Sequence, residues 1–81
     1  MTIAVSAEEA EAVVLAQLQN DDWEPAIVGV EDAGARWRVF YNTRVFVETG
    51  ALSHALAGNL PVLVDKQTAA VTVDAGWLPG V

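Results

Sequence analysis

Residues 36–42, Arg-Trp-Arg-Val-Phe-Tyr-Asn, alternate their side-chain character with a period of two over most of their length. Only a β-strand turns that period into two distinct faces, because successive side chains leave a pleated backbone on opposite sides. Trp37, Val39 and Tyr41 share one face, and Arg36, Arg38 and Phe40 share the other. The first face is dry, as expected for an antiparallel sheet that is covered on one side only. The rest of the chain must therefore supply partner strands and a cover.

The cover is legible near the amino terminus. Ser6-Ala7-Glu8-Glu9 is a capping box, with Ser6 as the N-cap and Glu9 at the third helical position. Glu8 and Glu9 also sit well at the positive end of a helix dipole. Ala10, Val13, Val14 and Leu18 recur at the helical spacing, and Ala7 and Leu15 widen the stripe. Asn20, Asp21 and Asp22 are poor helix residues and Pro25 forbids continuation, so a helix is predicted over residues 7–19.

The partner strands follow in short segments. Residues 26–31 read as a first strand and Asp32-Ala33-Gly34 as a turn, with residues 35–42 as the second strand. Asn42-Thr43 reads as a tight turn or bulge, and Val45-Phe46-Val47 as a third short strand ended by Gly50. Residues 51–57 fit one or two helical turns stopped by Gly58. Pro61 fixes the backbone before a strand over 62–65, which is apolar without alternation and is expected to be central and covered on both faces. After a turn at Lys66-Gln67-Thr68-Ala69, residues 71–74 form the last strand and release a tail, Trp77 to Val81. With 81 residues the chain has room for one domain. The expected architecture is α+β, one N-terminal helix packed on a four- to five-stranded antiparallel sheet.

Charge narrows the classes of partner. Eleven acidic residues against four basic ones give a net charge of −7. Arg36, Arg38, Arg44 and Lys66 are too few to displace counterions from a nucleic acid, and an anionic membrane is disfavoured for the same reason. An acidic surface suits a basic protein partner, because opposite fields speed encounter; acidity also keeps a small apolar-rich domain soluble. A hydrophobic fraction of 53% is high for so short a chain and points to surface that meets another chain, a copy of itself included. Met1 to Val5 carries no basic region, Glu8, Glu9 and Glu11 follow at once, and no apolar run approaches the ~20 residues needed to span a bilayer. There is no cysteine, which fits a reducing compartment. The expectation is a cytoplasmic protein.

Catalytic chemistry finds little to work with. His54 is the single histidine, and its neighbour Ser53 would diverge from it on any regular element. The carboxylate pairs Asp21-Asp22 and Glu31-Asp32, and Asp65 facing Asp74, lack the spacing of a calcium loop and read as solvated turns and helix ends. Gly58-Asn59-Leu60-Pro61 lacks the glycine spacing and the Lys-Ser/Thr ending of a phosphate loop and reads as a turn. No enzyme, metal or cofactor is expected. The residues left for partner contact are Asp21, Asp22, Trp23, Glu24, Glu31 and Asp32, together with Trp77. Trp37 is expected in the core by its place in the alternation. Trp77 either folds back over the sheet or anchors an interface, since tryptophan is enriched at binding hot spots.

The segment from Trp37 to Lys66 resembles the Imm35 family, immunity proteins of bacterial polymorphic toxin systems that include the YrhB-type proteins. The shared elements are the Trp37-to-Asn42 strand, the Glu48-Thr49-Gly50 step, and Gly58-Asn59-Leu60-Pro61-Val62-Leu63-Val64-Asp65-Lys66. The resemblance implies that Trp37, Tyr41, Asn42, Gly58, Asn59, Pro61, Asp65 and Lys66 hold the fold together. It also implies a protein that neutralises a cognate toxin by tight binding and active-site occlusion, with no turnover. Its YrhB branch implies a chaperone-like alternative, and a structural homodimer is a third reading. The sequence departs from the family at two places. The family's Thr-Gly turn is Thr68-Ala69-Ala70 here, so this turn is expected to be of a type that does not need glycine. The usual extension after the last strand is replaced by the short Trp77 to Val81 tail.

Overall fold

The computed structural model describes residues 4–56 and 60–77. Helix α1 spans Ala7–Leu18, and strands β1, β2, β3 and β4 span Pro25–Asp32, Arg36–Thr43, Val62–Asp65 and Val71–Val73. A short helix α2, Arg44–Thr49, and one 3-10 turn, Leu52–His54, lie between β2 and β3. Each strand pairs antiparallel with the next, giving one meander in the order β1-β2-β3-β4. The fold is α+β, with α1 lying across β1, β2 and β3.

The capping box forms as the sequence requires. Ser6 Oγ accepts from the Glu9 N–H, and Glu9 Oε1 accepts from the Ser6 N–H, both at 3.1 Å. Ala10 and Val14 are fully buried, while Ala7, Val13, Leu15 and Leu18 are half-buried around them. These two residues meet Val39, Val62 and Val64 of the sheet, and these five form the central cluster of the core among the described residues. No side chain in that core is larger than valine, so Trp37 and Tyr41 surround it instead of filling it. Trp37 keeps its indole N–H at the rim, where it donates to the Val5 carbonyl at 2.7 Å. The Val5 N–H donates to the Lys66 carbonyl at 2.6 Å, so the segment before α1 is stitched to the end of β3.

Several sequence expectations need correction. Val45-Phe46-Val47 is not a strand but lies inside α2. Three alternating residues are too short to fix a period, and the ends decide the outcome. Thr43 acts as N-cap, accepting from the Phe46 N–H at 3.1 Å. Gly50 closes the helix in the left-handed region at φ 72°, donating to the Phe46 carbonyl at 2.7 Å. The sheet accordingly has four strands. Asn42-Thr43 is neither turn nor bulge, because β2 runs through both; the irregularity lies in β1, between Ile27 and Gly29. Strand β3 is central, as expected, but its burial alternates: Val62 and Val64 are buried, and Leu63 and Asp65 on the outer face are half-buried. The helix covers one face only.

The turn between β3 and β4 holds the sharpest departure. Ala69 has φ 63° and is the one non-glycine residue with positive φ among the described residues. The turn does use the left-handed conformation that a glycine would adopt freely, and alanine occupies it at a cost of about 1 kcal/mol. Asp65 supports it, its Oδ1 accepting from the N–H groups of Gln67 at 2.8 Å and Thr68 at 2.9 Å. The Ala69 N–H donates to the Asp65 carbonyl at 2.9 Å. The expected stop at Gly58, the Gly58-Asn59 turn and the tail beyond Trp77 lie outside the described residues.

Candidate functional site

Past the end of α1 the chain forms an ordered acidic loop. Asn20 holds it: its Oδ1 accepts from the N–H groups of Asp22 at 2.8 Å and Trp23 at 2.9 Å, and its Nδ2 donates to the Leu18 carbonyl at 3.0 Å. Asp21 and Asp22 are exposed beside a half-buried Trp23, and residues 19–24 line an open depression. The Glu24 carbonyl accepts from the Arg44 N–H at 2.7 Å, and the Arg44 side chain pairs with the carboxylates of both Glu24 and Glu48. These two carboxylates raise the Arg44 pKa above its ordinary value, chiefly through the hydrogen bond that Arg44 donates to Glu48.

Glu31 and Asp32 do not join this loop. They lie at the far end of β1, seven and eight residues beyond Glu24 and so roughly 23–26 Å away at the rise of an extended strand. Asp32 is spoken for: Lys66 Nζ lies 2.6 Å from its Oδ1 and 4.3 Å from the centre of the Trp37 ring. The Lys66 hydrogen bond, with a second from the Gly34 N–H, holds the Asp32 carboxyl below its ordinary range. The acidic residues expected to meet a partner thus fall at two separate places, and all of them are exposed.

The outer face of the sheet carries a feature that residue-by-residue reading missed. Val28, Phe40, Phe46, Pro61 and Trp77 line a mainly apolar groove. Trp77 folds back so that its ring meets Phe40 edge-on, with centroids 5.4 Å apart and planes at 68°. Val28 sits at the irregularity in β1 and is 59% exposed. Arg38 and Asp74 form an ion pair on this outer face at 2.8 Å. Phe40 was a visible signal, as an aromatic side chain on the arginine face of β2. Phe46 was hidden by the mistaken strand.

Several residues shared with the resemblance make bonds that hold segments of the fold together. Asn42 Oδ1 accepts from the N–H groups of Thr43 and Leu56, each at 2.8 Å, and Thr43 Oγ1 donates to the His54 carbonyl at 2.7 Å. Together they pin the segment between β2 and β3 to the sheet. Pro61 is buried, and its carbonyl accepts from the Asp74 N–H at 2.9 Å. His54 itself is exposed. Among the described residues no three His, Asp or Glu side chains converge to hold a metal ion, and no helix is long and apolar enough to cross a membrane. No family model matches this chain, and neither does any curated protein or solved structure.

Proposed function

We propose that this chain is an immunity protein of the Imm35 type, acting in the cytoplasm and neutralising a basic cognate toxin by stoichiometric binding without turnover. The observation that carries the proposal is the acidic loop beside α2. Asn20 fixes the backbone that carries the loop's exposed carboxylates, through the N–H groups of Asp22 and Trp23, next to the half-buried Trp23 ring. Preorganised charge of one sign steers an oppositely charged partner and costs little ordering on binding. The segment that resembles the immunity family supports the same reading, as does the net charge of −7. Neither nucleic acid nor membrane is a partner in this reading.

A chaperone-like role is the second reading, favoured by the apolar side chains displayed between β2 and β3. Leu52 is 80% exposed, and Val45 and Val47 of α2 are exposed as well. The test is capture of partners by the tagged chain from lysate of its source at low and high salt, with identification by mass spectrometry. One stoichiometric, salt-sensitive partner bearing a toxin domain supports neutralisation. A spread of unrelated clients, insensitive to salt, overturns it in favour of the chaperone.

A further inference from the structure

We propose that the outer-face groove formed by Val28, Phe40, Phe46 and Trp77 seats a bulky apolar side chain of the partner. Lysines or arginines flanking that side chain then meet the carboxylates of Asp21 and Asp22. The proposal rests on the neutralisation reading and specifies its contact surface.

Two observations choose this occupant. The first is continuity. The Glu24 carbonyl is bonded to the Arg44 N–H at the start of α2, and Phe46 of that same helix lines the groove. The register also places Ala26 opposite Asn42, so the acidic loop enters β1 at the groove's own end of the sheet. The second is charge. The arginines on either side already hold carboxylates, Arg38 that of Asp74 and Arg44 those of Glu24 and Glu48. The surroundings are therefore net negative. A second copy of this chain would bring a further −7 to the same place, and like charges in juxtaposition are penalised. A basic segment is attracted. An apolar anchor seated in a pocket with a polar rim is a common arrangement at protein interfaces.

The test uses a synthetic leucine/lysine peptide, with leucine/glutamate and serine/lysine peptides as controls, titrated into the isotope-labelled full chain and followed by NMR. The leucine/lysine peptide is expected to shift the Trp77 indole, the Val28 and Phe46 amides and the amides of residues 20–24. Each control should bind about tenfold more weakly or worse, since one loses the charge and the other the anchor. Val28→Lys and Trp77→Ala should each weaken the leucine/lysine peptide by about tenfold. Val28 is 59% exposed, so its variant should keep the parent melting curve and stay informative if Trp77→Ala does not fold. Unchanged affinity in Val28→Lys, shifts confined to other surfaces, or a dimer that buries Trp77 in sedimentation would overturn the proposal. A toxin captured equally by the parent and Val28→Lys removes the groove but leaves neutralisation standing. Peptide binding in the groove with no toxin captured keeps the groove and removes neutralisation.

Discussion

The indole N–H of Trp37 donates to the Val5 carbonyl at 2.7 Å, bonding a residue of the second strand to the segment that leads into the covering helix. The same Val5 is held on its other side by Lys66, whose ammonium lies over the Trp37 ring. Trp37 is thus a fastener at the edge of the core. Trp37→Phe removes the bond and part of the ring while keeping an aromatic body. The expected loss is roughly 1–2 kcal/mol in urea unfolding. Faster hydrogen exchange at Val5 should accompany it, and an unchanged Val5 amide would show that the bond does not hold this segment.

Ala69 offers a gain instead of a loss. Its φ of 63° lies where an L residue is strained and glycine is not. Glycine also costs the folded state more chain entropy, which offsets part of the relief. Ala69→Gly is expected to stabilise the chain by roughly 0.5 kcal/mol net or less. A lower urea midpoint in this variant would mean that the turn gains nothing from glycine.

These two residues illustrate what the sequence makes legible. The capping box, the dry face of β2 and the antiparallel meander follow from local chemistry and period, and each is present. Thr68-Ala69-Ala70 do not themselves announce a left-handed residue, and only the glycine of the resembling family at this turn hints at one; Asp65, three residues upstream of Thr68, holds the turn in place through Gln67 and Thr68. The strand expected at Val45-Phe46-Val47 is a helix because its ends decide: Thr43 caps one end and Gly50 the other, and an apolar run of three residues fits either period. The groove required three segments to meet, Val28 at an irregularity, Phe46 on α2 and Trp77 in the tail, and no single period encodes that.

Asp65 makes part of the stability depend on pH. Backbone N–H groups of Thr68 and Gln67, in that order of effect, lower its pKa below the ordinary 3.8. A carboxylate depressed by folding contributes stability that is present above its unfolded pKa and lost as pH falls through the folded value. The protein's negative charge works the other way, since protonation relieves self-repulsion. The two are separated by comparing the parent with Asp65→Asn. The difference in urea midpoint should be constant near neutrality and shrink below about pH 4. A difference that stays flat into strong acid would show that the turn does not depend on the ionised carboxylate.

The acidic loop makes the kinetic prediction of the neutralisation reading. Asp21 and Asp22 are exposed, and the loop geometry depends on Asn20 accepting from two backbone N–H groups rather than on either carboxylate. Reversing both residues to lysine should therefore leave the circular dichroism spectrum and the melting curve unchanged. Association with a basic partner should nevertheless slow by about tenfold at low salt, because steering by surface charge acts mainly on the on-rate. The difference should narrow as ionic strength rises, since a Debye length of about 10 Å at 0.1 M already screens distant exposed charges. Stopped-flow association of the captured partner at two salt concentrations measures both effects. Equal on-rates for the parent and the double variant at low salt would remove this loop from the encounter surface and leave Glu31 and its neighbours at the far end of β1 as the charges to reverse next.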